Sequence, residues 1–359
     1  MPIESLAHTW LRNKRRILNL QAGMSRRKLR SVRSRFYNDL WQQAATSIGA
    51  EAQRLSNGLT QISKADQATF VDQSDLMLDS TLTLRLMANK FLTYELMATK
   101  NVRLPAYQKF ELESLDQAIS FLEQQDGAIV IKPADGTGGG RGVTTGIRDR
   151  NTLLNAARHA AGFNTSLLAE EQLSGASYRL LYFNGEFLDA IRRDSPTVSG
   201  DGSSSIKALV HAENLARNDV TNITALSPLI IDQEARNTLA KQSRSLRDIP
   251  AKNEGVRIKL AVNENAAGQN HVVTGSVHPE IIETGARLVR SFGVKFAGLD
   301  VTANDISASL SDGDVIFNEI NVNPGLHHHY LIANPKDQTN VAPALLERMF
   351  ASRIGTISL

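Results

Sequence analysis

The sequence predicts an α/β protein of the α+β kind with a basic, partly helical N-terminal region. Three observations carry this. Apolar residues recur at helical spacing in residues 36–55, 82–99, 151–161 and 279–292, and short apolar runs bounded by glycine or proline stand between them at 128–133, 167–171 and 178–183. Helical and strand-like segments alternate through a chain of 359 residues, long enough for two or three units at roughly 100–200 residues each.

The charge is unevenly placed. Of 40 Lys+Arg, ten fall between Arg12 and Arg35 with no acid among them, namely Arg12, Lys14, Arg15, Arg16, Arg26, Arg27, Lys28, Arg30, Arg33 and Arg35. The other residues carry 30 basic and 37 acidic side chains, so a mildly acidic body follows a basic arm. In residues 36–55, Phe36, Leu40, Trp41, Ala44, Ala45, Ile48 and Ala52 form one apolar stripe, an amphipathic helix that docks on the body. Residues 60–80 give a mixed signal. A helix over 82–99 follows, carrying Leu86, Asn89, Lys90, Leu92, Thr93 and Leu96, with Asn101 just beyond as its stop.

Ala128-Ile-Val-Ile-Lys-Pro133 reads as a buried strand running into Asp135-Gly-Thr-Gly-Gly-Gly-Arg-Gly-Val143. After a helix at 151–161 come strands at 167–171 and 178–183, and Asn184-Gly185 before residues 187–192 signals a two-residue hairpin. Residues 195–205 hold Pro196, Gly200, Gly202 and the serine triplet Ser203–Ser205, a loop; residues 214–253 are polar and partly helical. A helix at 279–292 has Pro279 at its start and Gly293 past its end, then strands at 297–302 and 315–320 lead to Asn321-Val-Asn-Pro-Gly325. His278 reads as the entry residue of that helix.

Zero cysteine excludes disulfides, thiolate metal sites and a cysteine nucleophile. No run approaches the ~20 apolar residues of a spanning helix, and the first 20 residues lack a signal-peptide core, so a cytoplasmic protein without membrane contact is expected.

Three features speak about chemistry. The glycine-rich loop after the Lys132-Pro133 strand end offers closely spaced backbone N–H groups that suit phosphate oxygens, although it has neither the P-loop order nor a dinucleotide fingerprint. Glu319 and Asn321, two apart on one strand, share a face, and Asp300 from a neighbouring strand completes an oxygen set that suits magnesium. Lys90, Lys132, Arg192, Arg193 and Lys259 are cations beside secondary structure; Lys132 closes an apolar strand and so needs an anionic partner. Taken singly, these also read as a ligand-free loop, solvated strand ends and surface charges.

In order, the features resemble the ATP-grasp superfamily, in particular the ATP-grasp module of cyanophycin synthetases and bifunctional glutathione synthetases. The marks are Ile191-Arg-Arg-Asp-Ser-Pro196, Gly200-Asp-Gly-Ser-Ser-Ser-Ile-Lys-Ala-Leu209, Val277-His-Pro-Glu280, Ala297-Gly-Leu-Asp-Val301 and Asn318-Glu-Ile-Asn-Val-Asn-Pro-Gly325, spread over residues 82–330. The resemblance implies two α+β subdomains clasping ATP: residues 1–85 as a basic N-terminal region, 86–195 as the ATP-binding lid subdomain, and 196–359 as the C-terminal subdomain with the metal site. It implies that Lys90 and Lys132 meet ATP phosphates, that Gly138, Gly139 and Gly140 close over them, and that Glu170 or Glu171 meets the adenine amino group while Leu173 packs on the ring. Lys259 resembles the residue reaching the terminal phosphate. Asp300, Glu319 and Asn321 resemble the ligands of Mg2+, for which Mn2+ can substitute. Arg192 and Arg193 resemble the residues serving the acyl phosphate or substrate carboxylate, and Asn323 with Gly325 the floor beneath the transferring group.

The activity so implied is an ATP-dependent ligase of the carbon–nitrogen-forming class, joining a carboxylate to an amine through an acyl phosphate and releasing ADP and phosphate, with an amino acid or short peptide as substrate and a homo-oligomer as the working form. Ser177 stands where relatives often hold the ribose with an acid. The chain ends at Leu359, short of the second ligase domain of cyanophycin synthetases, so a second addition by that route is not expected. Two alternatives stand beside this reading: an ATP-grasp enzyme that passes the acyl phosphate to a non-amine acceptor, and a nucleic-acid or acidic-polymer binder using the basic arm. The arm also suits docking of an anionic or carrier-bound substrate. His327-His-His-Tyr330 lines an acceptor pocket, is structural, or binds a transition metal.

Overall fold

The structure, a computed structural model, describes residues 29–135 and 141–359. Most of the basic arm and Gly138, Gly139 and Gly140 lie outside those residues.

The first helix, α1 (Arg30–Ser47), starts earlier than the apolar stripe predicts and ends sooner. Gly49 takes φ +68°, which stops the helix, and residues 51–54 become strand β1 (Glu51–Arg54) instead of its last turn. The mixed segment that follows resolves into β2 (Thr60–Lys64), β3 (Gln67–Asp72) and β4 (Asp75–Leu76), an antiparallel sheet onto which α1 lays Leu40, Trp41, Ala44 and Ala45. The Trp41 indole donates to the Gln73 carbonyl at 2.7 Å, satisfying the one polar atom of a buried ring.

The expected helix over 82–99 is two helices, α2 (Thr81–Ala88) and α3 (Lys90–Ala98). Asn89 leaves helical geometry at φ −88°, ψ 99°, and its side chain accepts from the Leu92 N–H at 3.0 Å, so one asparagine ends α2 and caps α3. Lys90 therefore sits at the first position of a helix rather than in the middle of one. Its own N–H donates to the Ala134 carbonyl at 3.0 Å, tying α3 to the end of the Lys-Pro strand.

A second sheet holds β5 (Tyr107–Phe110), β6 (Ile129–Pro133), β7 (Thr144–Ile147) and β8 (Leu167–Glu171) in the order β5-β8-β6-β7, all antiparallel. Helices α4 (Leu115–Glu123) and α5 (Arg150–Ala161) cover it, burying Phe121, Leu153, Ala157 and Ala160 against Ile129, Ile131 and Leu167. Each fully buried aliphatic side chain of such a core contributes roughly 1.5–3 kcal/mol.

The third sheet is built on the predicted hairpin. β9 (Ala176–Phe183) and β10 (Glu186–Arg193) are joined by Asn184 and Gly185 at φ +49° and +79°, the signs that a tight two-residue turn demands. Residues 195–205 are not all loop: β11 (Thr197–Ser199) pairs with β12 (Gly255–Arg257). Between these strands α6 (Ile206–Ala216) and α7 (Gln233–Lys241) enclose a small core of Val198, Ile206, Val210, Leu239 and Val256. β13 (Asn270–Val272), α8 (Pro279–Ser291), β14 (Phe296–Ala303) and β15 (Ile316–Val322) complete the main sheet in the order β13-β10-β9-β14-β15. His278 caps α8 by accepting from the Glu280 N–H through Nδ1 at 3.2 Å, which is its expected entry role. After α9 (Val341–Ser352) the chain returns to the first sheet, where β16 (Ile357–Ser358) pairs with β3.

Candidate active site

The second and third sheets face each other across a cavity of about 740 Å³. Lys90 of α3, Lys132 of β6, Thr145 of β7 and Glu170 of β8 reach it, with Glu171 and Leu173 just after. From the opposite side β9, β10, β14 and β15 contribute Arg179, Arg193, Asp300, Glu319 and Asn321. Strand register explains the second group. Asp300 pairs with Glu319 across β14 and β15, and with Arg179 across β14 and β9, so alternate residues of three strands present charge to one face.

The charges are paired within the cavity. Lys90 Nζ lies 2.5 Å from Glu319 Oε1, and the Lys132 ammonium bonds the Glu170 carboxylate while standing 5.7 Å over the Tyr94 ring. Arg179 grips Asp300 with both ends of its fork, Nε to Oδ1 and an Nη to Oδ2, each at 2.7 Å. Asn321 donates to the same Asp300 carboxylate at 3.2 Å. Burial by itself would raise the carboxyls of Asp300 and Glu319, but Arg179 outweighs it at Asp300 and Lys90 outweighs it at Glu319, so both stay below the usual carboxylate range. Burial likewise opposes charge on Lys90, and Glu319 more than restores it.

Arg193 stands apart from these pairs. It is 3% exposed, its Nε has no partner, and it lies 3.7 Å from Asp300 and within hydrogen-bond distance of Asn263 at 3.2 Å. Burial and the neighbouring Arg179 pull its guanidinium down to about 10. A buried, under-used fork at the end of a cavity is a ready receptor for an anion.

Three expected residues are elsewhere. Lys259 is 3% exposed and bonded to Asp232 at 2.7 Å and Glu264 at 2.9 Å, behind the cavity wall. Burial works against its charge, yet Glu264 and Asp232 hold it above the usual lysine range. Arg257, two residues before it at the end of β12, reaches the cavity. Arg192 points to the other face of β10 and pairs with Asp194 at 3.0 Å. Asn323 takes φ +49° beyond β15, with its N–H on the Phe296 carbonyl at 3.1 Å and its side-chain oxygen buried without a partner. Gly138, Gly139 and Gly140 fall outside the described residues.

Sequence reasoning missed Arg179, Tyr94, Asn263 and Arg257. Arg179 had a signal of the same kind as Lys132, a lone charge inside the apolar run Tyr178-Arg-Leu-Leu-Tyr-Phe183. The others depended on which way a loop or helix turned.

No protein-family profile matches the chain. It is 28% identical over 289 residues to the cyanophycin synthetase of Trichormus variabilis, covering 80% of this chain and 31% of that protein. It is 26% identical over 280 residues to the bifunctional glutathione biosynthesis protein of Clostridium perfringens, covering 77% of this chain and 36% of that one. The chain thus spans about a third of the length of these relatives. Among solved structures, a bifunctional glutathione synthetase from Pasteurella multocida superposes with a TM-score of 0.53 at 19% identity, covering 87% of this chain and 43% of that one.

The fold is ATP-grasp. The facing sheets belong to that fold, and the strand order of the larger one sets the spacing of Arg179, Asp300 and Glu319. No helix among the described residues is long and apolar enough to cross a membrane.

Proposed function

We propose that the protein is an ATP-dependent carboxylate–amine ligase that forms an amide or peptide bond. The observation that carries this is the cavity itself: Lys90 from helix α3, Lys132 from the second sheet and Asp300, Glu319 and Asn321 from the third converge in one space of about 740 Å³. That volume is of the size that holds a small organic ligand. The residues present fit ATP with magnesium. Among the described residues no cluster of three or more His, Asp or Glu forms a complete metal cage, and two carboxylates with an amide oxygen suit a cation that keeps phosphate and water among its ligands. Lys90 and Lys132, each now on a carboxylate, would turn to phosphate oxygens. Leu173 and Glu170 or Glu171 would receive the base, Gly138, Gly139 and Gly140 would cover the phosphates, and bound magnesium would supply charge neutralisation at the phosphates.

The chain's own part is placement. Arg193, with its unpartnered Nε, would hold the donor carboxylate in line with the γ-phosphorus. The carboxylate oxygen bonds to phosphorus as the bond to ADP breaks; the amine nitrogen then bonds to the carbonyl carbon as phosphate departs, and the nitrogen's extra proton leaves with phosphate or to water. No enzyme nucleophile is needed, in keeping with a cysteine-free chain. Lid closure would keep water from the acyl phosphate. The amide-forming relatives support an amine acceptor, and ATP with free amino acids supports a cytoplasmic setting. We place Arg192, Lys259 and Asn323 as supports of this site rather than as groups touching substrate.

The test is ATP–magnesium binding followed by ADP release. A ligand at 100 times its Kd stabilises the fold by about 2.7 kcal/mol, a readable thermal shift. The parent should show that shift and form ADP with members of a panel of amino acids and short peptides, and Lys132→Ala should lose both. A parent that neither binds nor hydrolyses ATP refutes the reading.

A further inference from the structure

Beside Arg193 the cavity is walled by Leu260, Ala261, Val262 and Asn263, a segment that follows β12 and runs into a short helical turn at Val262–Glu264. A segment outside the strand ladders must satisfy its backbone elsewhere, and here side chains do it. Glu234, near the head of α7, takes the N–H groups of Leu260 and Ala261 on one carboxylate oxygen, at 3.2 and 2.8 Å. The Ser195 hydroxyl donates to the Leu260 carbonyl at 3.1 Å. Arg217, just after α6, donates from one nitrogen to the Glu264 carbonyl at 2.9 Å and to the Ser227 carbonyl at 2.8 Å. The Glu264 carboxylate accepts from the Ile230 N–H at 2.8 Å and from Lys259, whose ammonium also holds Asp232. Glu234, Glu264, Lys259 and Arg217 are all buried. The far end of α7 is fixed too: Lys241 donates to the Thr145 carbonyl of β7 at 3.2 Å, so the helix is anchored to both walls of the cavity.

What this scaffold presents to Arg193 is an amide. The Asn263 side-chain oxygen accepts from an Arg193 Nη at 3.2 Å. The acid beside Arg193, Asp300 at 3.7 Å, is gripped at both oxygens by Arg179. An amide bonds a guanidinium through its dipole and carries no charge, so it orients the fork without neutralising it. A carboxylate at position 263 would orient the same nitrogen and also cancel the charge that an incoming anion needs.

We propose that Asn263 is a positioning residue of the donor site: its neutral bond aims Arg193 at the donor carboxylate and leaves the guanidinium charge intact, and the buried side chains behind residues 260–264 hold Asn263 in place for that task. This rests on the ligase reading. Burying paired charges yields little net stability, because desolvation offsets their attraction, whereas it does select one arrangement of the groups involved. Buried charges gathered behind one short segment therefore serve placement, and what they place beside Arg193 is the Asn263 amide.

The experiment uses the full chain and has two stages. The parent is first given ATP, magnesium and hydroxylamine with each member of a panel of amino acids and short peptides; a hydroxamate identifies the donor without any amine substrate. No hydroxamate and no ADP with any member defeats the ligase reading and this proposal with it. With the donor known, its KM and kcat in the hydroxamate reaction, the ATP Kd and the Tm are measured for the parent, Asn263→Asp and Asn263→Ala. Asn263→Asp, nearly the same shape, should raise the donor KM by about tenfold or more, because its carboxylate occupies Arg193. Asn263→Ala should raise it only about threefold, since the fork loses its aim but keeps its charge. The ATP Kd should stay at the parent value in both. A packing role for Asn263 predicts the opposite order, with the isosteric aspartate the milder change. If the Tm shows that Asn263→Asp does not fold, Asn263→Ala decides alone, by a raised donor KM at unchanged ATP Kd. An unchanged donor KM, an aspartate effect no larger than the alanine effect, or an equal rise in the ATP Kd overturns the assignment of Asn263 and leaves the ligase reading intact.

Discussion

Replacing Arg179 with methionine tests the electrostatics of the cavity floor. Arg179 and Asp300 are joined by two 2.7 Å bonds, with side chains only 9% and 16% exposed. Removing one member of a buried pair costs about 3–5 kcal/mol, because the remaining charge is left desolvated. Here Asn321 at 3.2 Å and Arg193 at 3.7 Å stay beside Asp300, so the lower end, about 3 kcal/mol, is expected at pH 7. The pH dependence fixes the cause. In the parent, burial would raise the Asp300 carboxyl but Arg179 holds it below its ordinary value, so its contribution to stability is fully present above the unfolded carboxyl range and is lost as pH falls through the folded value. In Arg179→Met burial prevails, Asp300 takes up a proton at higher pH, and the deficit relative to the parent narrows as pH falls from 7 toward 4. Urea unfolding of both proteins at pH 7, 5.5 and 4 measures this. Arg348→Met, which breaks an exposed 2.9 Å pair with Glu186, is the control and should cost about 0–1 kcal/mol at every pH. A deficit for Arg179→Met below 1 kcal/mol, or one that does not change with pH, would refute the reasoning.

Other consequences are as direct. Asn89→Ala removes the cap of α3 and should cost about 1 kcal/mol while raising the KM for ATP, since the cap sets the direction of Lys90; a ligand titration and a melt separate the two effects. Gly146 and Gly293 have nearly the same φ, +67° and +66°, but a Cβ at Gly146 would fall 1.3 Å from Lys241 Nζ, which donates to the Thr145 carbonyl at 3.2 Å, whereas Gly293 has open space. Alanine at either should cost about 1–2 kcal/mol of backbone strain, and Gly146→Ala about 0.5–1.5 kcal/mol more, an excess that disappears in a Lys241→Ala background. Burial raises the Glu234 carboxyl to about 7, so this group favours the fold below its unfolded range and its contribution is lost as pH rises toward 7; Glu234→Gln should flatten that decline, by up to about 1.4 kcal/mol per pH unit, in melts from pH 4.5 to 7.5.

The strands that carry the site were legible in the sequence because each obeys a local rule. Ile129–Pro133 is an apolar run with one charge, Asn184-Gly185 dictates a hairpin, and the two-residue spacing of Glu319 and Asn321 puts both on one face of β15. The helix boundaries were less so. Asn89 interrupts a pattern whose apolar positions run straight through it, because a capping asparagine and an interior one have the same composition; only the side-chain bond to Leu92 distinguishes them.

Lys259 and Arg257 show where local rules stop. They stand two apart on one segment, and sequence alone gives either an equal claim to the cavity. The decision is made by residues distant in the chain: Asp232 at the head of α7 and Glu264 in the turn after residue 260 close on Lys259 from both sides, and a lysine holding two carboxylates at under 3 Å is already satisfied. Arg257 meets no such pair and extends into the open space. The same logic selects Arg193 over Arg192. Asp194 follows Arg192 closely enough to take both ends of its fork, while β10's alternation turns Arg193 inward, where Asp300 already belongs to Arg179. Arg193 is left under-used because the acid nearest to it has a better partner, and that condition is set by strand register between Arg179 and Asp300, more than a hundred residues apart, rather than by the charge itself.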